Sequence, residues 1–398
     1  MRGLSFDHGA SYVSAKPSDP KWKASPFARA LRAAEKAGVA ARWRGDVGVA
    51  DADAATSRGD DVVMDEGSFE AFPPEKELFV GVPTMAALPL FIAETLARAT
   101  KPEASHLGDN AAVGAPEYAT NAFVQTLTEP QYPGGRWNLT ARIRDGGHVW
   151  YKSIDADIVI VATSAPAAAI LMPWRGLGSV DDVEVDDETF TGIVQGAAHG
   201  VEANACWTLC VAFEKSLDAP FDGVMMRERP EGGYGKIAWF CNNSSKPGRK
   251  GGGGGGGGWA YAADDDAGGG SGDDGDDDDD AAATEPECWV VQGSPTFCQN
   301  VPAGAASPRV ADELLDAFLT LLGKDADRRA SIEVTHKKAV KWKHAYPANP
   351  TGRVYFDPET GVAACGDWTF GGRTSDAYDS GVAVGKEIST YLELSREL

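Results

Sequence analysis

The residues best placed to do chemistry lie near the C-terminus. Val362-Ala363-Ala364-Cys365 reads as a short buried strand, and Gly366-Asp367-Trp368 follows at its end. A Gly-rich turn, Gly371-Gly372-Arg373-Thr374, then leads into a helical pattern carrying Ala377 and Gly381. A carboxylate at a strand end accepts hydrogen bonds from sugar-like hydroxyls. A helix N-terminus offers free N–H groups and a partial positive charge, which stabilises negative charge on a ligand. Small residues such as Ala377 and Gly381 let a helix approach a flat ligand closely. Together these parts suit a flavin, with the helix N-terminus facing the N1–C2=O side of its ring. An ordinary strand–turn–helix with a solvated Asp fits the same pattern.

Other reactive residue types are scattered. His344 could act as a base, although a lone His is more often a surface or packing residue. Lys246 and Arg249 could clamp an anion, or be solvated beside the low-complexity tract that follows them. Trp207, Trp239 and Trp289 could wall a cavity, but aromatics in strands usually build cores. The six cysteines, at 206, 210, 241, 288, 298 and 365, form no C-x-x-C pair and sit at no metal-ligand spacing with the histidines. They read as buried free thiols, which favours a reducing intracellular compartment. An organelle fits as well if a leader precedes Met1. No metal site and no catalytic acid or base is assigned, since hydride transfer to a flavin can rest on positioning alone.

The elements that would position these residues are legible at coarse grain. Phe27, Leu31 and Ala34 mark one helix. Met85, Leu88, Ile92 and Leu96 mark a second, which Pro89 should kink or delay. Val310, Leu314, Phe318 and Leu321 mark a third, and Ala377, Gly381, Val384, Ile388 and Tyr391 the last. Asp157–Ala162 and Cys206–Phe213 read as strands. Strands mixed with helices in this way predict an α/β or α+β chain. Lys236–Cys241 and Cys288–Gln292 also read as strands, on either side of an unbroken Gly251–Gly258 run and an acidic stretch. Residues 251–283 are too poor in apolar surface to offset their chain entropy, and are expected to be a disordered Gly/Asp-rich insert in an expanded hairpin.

At 398 residues the chain has length enough for two domains. Its hydrophobic and charged contents, 43% and 24%, are those of an ordinary globular protein. The net charge of -22 includes ten Asp between Asp264 and Asp280. An acidic surface repels phosphate backbones, so nucleic acid is an unsuitable partner. No apolar run is long enough to span a bilayer.

Seven segments, in order, resemble those of renalase-like, amine-oxidase-related FAD-dependent oxidoreductases. They are Phe6-Asp7-His8-Gly9-Ala10-Ser11-Tyr12, Val80–Met85, Ala156–Pro166, Cys206–Glu214, Ser244-Ser245-Lys246-Pro247-Gly248-Arg249, Lys341–Ala345 and Cys365–Gly381. The resemblance implies a Rossmann-like FAD-binding domain (1–20, 78–175 and 351–398) and a mixed-sheet substrate domain (21–77 and 176–350). It implies FAD as cofactor and hydride transfer to flavin N5 from a small amine or dihydronicotinamide-like molecule, with reoxidation by dioxygen. By carry-over, Gly366 and Asp367 would meet the ribityl-pyrophosphate part, and the Thr374 N–H would face the flavin C2 carbonyl. Arg373 would lie beside the substrate, Ala377 on the flavin-side helix, and His8, Gly9 and Ala10 near the ring system. The pattern also departs from the family. No strand followed by G-x-G-x-x-G is present, the glycine run lacking the required context. The chain therefore reads as N-terminally truncated, expected to bind FAD poorly alone and well when extended upstream. Val340 stands where the family has His, and Asp376 where it has Gly. A scaffold or binding protein that has lost the cofactor is the alternative.

Overall fold

The computed structural model describes residues 4–52, 63–99, 119–132, 134–172, 190–227, 235–249, 285–302 and 304–397. The chain is a mixed α/β protein that divides into two packed units. Unit one comprises residues 1–18, 34–88 and 206–342, and unit two residues 19–33, 89–205 and 343–398. This division runs through different residues from the sequence-based boundaries. Residues 1–18 and 78–88 fall in unit one, where Leu78 and Val80 pack with Trp43, Val47, Trp239 and Val290 and Val13–Ala15 pairs antiparallel with Glu77–Gly81. Residues 176–205 and 343–350 fall in unit two.

Unit one is built on a seven-stranded sheet. Its order is Val334–Pro347, Ala203–Phe213, Glu287–Gly293, Ile237–Asn242, Gly223–Met226, Val47–Ala50 and Glu70–Ala71. Period-two alternation divides its side chains between two faces. Trp207, Leu209, Val211, Phe213, Phe240, Trp289 and Val291 pack on Val310, Leu314 and Phe318 of the helix Ser307–Leu321. The 3.6-residue period of those helix positions is what makes one apolar stripe meet the sheet. Trp207, Trp239 and Trp289 are thus core residues. The opposite face carries Trp239, Cys241 and Val290, which pack with Trp43, Val47, Leu78 and Val80. Ile237–Asn242 and Glu287–Gly293 pair antiparallel, as the expanded hairpin requires. Residues 251–283 lie outside the described residues.

The N-terminal segment is anchored to this unit by charge. Asp7 accepts from Lys246 Nζ at 3.2 Å, from Arg249 Nη2, and from the Met85 N–H at 3.0 Å. Lys246 also donates to Asn243 Oδ1 (2.9 Å), and Arg249 Nη1 to the Gly81 and Pro247 carbonyls (2.7 and 2.8 Å). All three charged side chains are at most 2% exposed. Lys246 and Arg249 are therefore not solvated, as their place beside the Gly/Asp tract suggested. They are buried because a carboxylate 239 or more positions away in sequence compensates them.

In unit two, Val159–Val161 and Val362–Ala364 lie side by side and parallel, with Tyr355–Asp357 antiparallel beyond. The C-terminal helix, Thr374–Glu397, packs Val384 and Ile388 onto Ala363 and Cys365. The expected shared placement of these two strands and this helix is observed. A continuous apolar run suits a strand covered on both faces. That holds for Val362–Ala364, each residue of which is fully buried. It fails at Ile160, which is 48% exposed because Val159–Val161 is the edge of this sheet among the described residues. A separate antiparallel meander, Ala122–Thr128, Trp137–Asp145 and His148–Ala156, lies in the same unit. Pro89 falls in the first turn of the helix Ala87–Ala99, where its missing N–H costs no hydrogen bond.

Candidate functional site

In unit two the parallel strands Val159–Val161 and Val362–Ala364 end side by side, and both chains turn away from the same place. A cavity of about 630 Å³ opens there, within the usual span of small-molecule sites. Its lining comes from three directions. Ala162, Thr163 and Ser164 continue one strand and Cys365, Gly366 and Asp367 the other. The C-terminal helix presents Ala377, Tyr378, Gly381 and Val382, while Ile92 and Leu96 come from the helix Ala87–Ala99. Crevices outside the carboxyl ends of parallel strands are where α/β sheets bind ligands.

Local hydrogen bonds hold this exit in shape. The Gly366 N–H donates to Ser380 Oγ at 3.0 Å, and Ser380 Oγ donates to the Ala377 carbonyl at 2.7 Å. Thr369 Oγ1 donates to the Gly366 carbonyl, and Trp368 Nε1 to the Thr163 carbonyl at 3.1 Å. Trp368 is buried and stacked on Tyr355, so the two strand exits are fastened together by a core residue. Gly366 has φ +141°, and a Cβ there would come within 3.1 Å of the Thr163 carbonyl oxygen. Only glycine accommodates this turn without strain. Asp367 opens the short helix Asp367–Phe370. Burial raises its carboxyl pKa above the ordinary Asp value, while the N–H groups of Trp368 and Asp367 itself pull the other way. No Lys or Arg pairs with it among the described residues. Gly381 has open space where a Cβ would stand, so the helix wall is recessed there.

Gly366, Asp367 and Ala377 therefore converge on one cavity. Arg373 and Thr374 sit at the start of the C-terminal helix, both exposed and outside the cavity lining. The Arg373 N–H donates to Asp376 Oδ2 at 3.3 Å, and a Cβ on Gly371 would strike the same carboxylate. Asp376 thus places a negative charge of the protein's own at this helix start. His8, Gly9 and Ala10 belong to unit one. There Trp342 Nε1 donates to the His8 carbonyl (2.9 Å) and Gln292 Nε2 to the Gly9 carbonyl (3.0 Å). His344 is exposed, as a lone surface His would be. Thr163 and Ser164 line the cavity but carry no chemical signature in the sequence. Their signal is positional, since they follow a parallel strand as Cys365–Asp367 do.

All six cysteines are buried thiols, and burial raises the pKa of Cys210, to about 12, and of Cys241. No cluster of His, Cys, Asp and Glu suited to a metal ion occurs among the described residues. No helix among them is long and apolar enough to cross a membrane.

No protein-family model matches the chain. Among solved structures it is similar to a protein from Exiguobacterium sp. 255-15 assigned as a protoporphyrinogen oxidase, with 12% identity and a TM-score of 0.45 over 79% of this chain. It is also similar to an oxidoreductase from Methanosarcina mazei, with 11% identity and a TM-score of 0.40 over 80% of this chain. The chain spans a little over half the length of each, 52% and 57%.

Proposed function

We propose that this chain is part of an FAD-dependent oxidoreductase that takes a hydride from a small amine or dihydronicotinamide-like substrate. The observation that carries the reading is the convergence of Gly366, Asp367 and Ala377 on a cavity at the carboxyl ends of two parallel strands. Those residues fit a flavin. Asp367 supplies a half-buried acceptor for ribityl hydroxyls, and Gly366 brings backbone close to the cavity. Ala377 and Gly381 leave the helix wall low, and Ile92, Leu96 and Val382 supply apolar surface that excludes water from a flat ring. The flavin would contribute acceptance of the hydride at N5 and reoxidation by dioxygen. The protein's own part is to bind, orient and keep the site dry. No side chain at the cavity is required to move a proton for this chemistry.

Asp376 favours a second reading, a scaffold or binding protein that has given up the cofactor. Its carboxylate accepts the Arg373 N–H and puts a negative charge at the helix start, beside the Thr374 N–H that would face the flavin C2 carbonyl. The two readings part on flavin retention. The full gene product, purified natively, is expected to be yellow, and Asp367→Ala to lose most of its flavin. A colourless wild-type protein that FAD fails to reconstitute would remove the oxidoreductase reading. Retention unchanged in Asp367→Ala would remove the assignment at that residue.

A further inference from the structure

The strand Val334–Pro347 stands at one edge of the seven-stranded sheet and contains four Lys, two His and no acidic residue. In a chain of net charge -22 that is a concentrated patch of positive potential. Alternation divides it between the faces. Lys337 pairs with Asp312 of the helix Ser307–Leu321, Ala339 is buried in the helix-side core, and Lys341 lies over the Trp207 ring. His336, Lys338, Val340 and Trp342 occupy the other face.

That face is roofed by the N-terminal segment. Phe6 stacks on His336 and the His8 ring lies against Trp342, each with centroids 5.4 Å apart. Lys338 stands between His336 and Trp342 on this face, is exposed, and acts electrostatically on His8, His336 and the Cys210 thiol. It has no ion-pair partner among the described residues. Asp7, which also faces His8, is committed to Lys246 and Arg249, and that buried group keeps one surplus positive charge. Two buried nitrogens here have no hydrogen-bond partner, His8 Nδ1 and Arg249 Nε. Buried polar groups are rarely left so unless something else completes them. Trp342, 40% exposed, adds a flat apolar wall.

We infer that the sheet face bearing His336, Lys338 and Trp342, with His8 above it, binds a small monoanion carried on a flat apolar body, such as an aromatic carboxylate. The site is composed of unit-one residues alone and does not depend on the flavin reading. Lys338 supplies the charge, the imidazoles supply N–H donors, and Trp342 meets the ring. Burial, with help from Lys338, lowers the pKa of both His8 and His336, while Asp7 opposes this at His8. Both imidazoles are therefore neutral near pH 7. A bound anion raises their pKa values, so binding takes up protons and tightens as pH falls below the ordinary His value of 6.5.

Benzoate is the probe, titrated into the full-length chain and followed by tryptophan fluorescence, with neutral benzamide as its uncharged counterpart. Benzoate is expected to bind about tenfold more tightly than benzamide, the worth of one charge-assisted hydrogen bond. Lys338→Gln should remove that preference. Lys337→Gln, on the opposite face, should keep it. Benzoate binding should also weaken as salt rises from about 0.01 M to about 0.1 M, where the screening length shortens from roughly 30 to 10 Å. Equal affinity for benzoate and benzamide in the wild-type protein, or no benzoate binding, overturns the inference even if no variant folds. So does an unchanged preference in Lys338→Gln. A full gene product that neither retains FAD nor is reconstituted by it, yet still prefers benzoate, would refute the flavin reading and leave this site standing.

Discussion

Replacing Asp7 by Ala tests how unit one is held together. The substitution deletes the acceptor for Lys246 Nζ, Arg249 Nη2 and the Met85 N–H in one step. Lys246 and Arg249 side chains are 0% and 1% exposed, so water cannot replace the lost carboxylate without opening the structure. Two cations would remain where one net positive charge stood. Breaking a buried pair from one side costs about 3–5 kcal/mol, mostly the penalty of the stranded charge. Whole domains are stable by only about 5–15 kcal/mol, so unit one should lose a large part of its stability. The magnitude has an internal check. Asp7→Ala combined with Lys246→Met removes one of the stranded charges and leaves Arg249 its bonds to the Gly81 and Pro247 carbonyls. The double variant should recover a substantial part of the loss. Urea unfolding, followed by tryptophan fluorescence at low and high salt, reads both. The loss should persist at high salt, because buried charges are poorly screened. A loss of less than about 1 kcal/mol in Asp7→Ala would place the pair in the class of weak surface bridges and refute the reasoning. So would a double variant less stable than the single one.

Further outcomes follow from unit two. Gly366→Ala should destabilise it by about 1–3 kcal/mol, through a strained φ and the approach to Thr163, read as a lower melting temperature. Gly381→Leu should leave the melting temperature nearly unchanged, since its Cβ meets nothing, yet reduce flavin retention by filling the cavity. Asp367 is held protonated to a higher pH in the folded chain than its ordinary value of 3.8. The folded state therefore binds more protons between those two values, and its stability falls as pH rises through that window. Asp367→Asn should flatten this fall in a series of thermal melts across acidic pH. A parallel decline in both proteins would show that another group is responsible.

The elements legible in the sequence were those with one dominant period. The helix Ser307–Leu321 shows its stripe at 310, 314, 318 and 321, and the same residues build the core. The Ile237–Asn242 and Glu287–Gly293 pair could be read because both strands are apolar and a low-complexity tract separates them. The meander from Ala122 to Ala156 was not read at all. Its last strand, His148–Ala156, is exposed at eight of nine positions, so no buried face imposes an alternating pattern. Lys246 and Arg249 misled for a different reason. Whether a charge is buried depends on a partner elsewhere, and Asp7 is invisible to any local window. At the cavity, Gly366 and Asp367 stood out by residue type. Thr163 and Ser164 did not, since their role comes from which strand lies beside which.

The bonds at Asp7 also set a timetable. Arg249 lies 242 residues after Asp7. At ribosomal rates of roughly 5–20 residues per second, about 10–50 s pass before the arginine exists. Unit one needs residues as late as 342, and unit two those from 343 onward, so neither can close early in synthesis. Through that interval the Asp7 carboxylate lacks both of its cationic partners, and the Val13–Ala15 and Glu77–Gly81 strands lack the sheet that Leu78 and Val80 pack on. Docking of the N-terminal segment belongs among the last steps by which unit one becomes native.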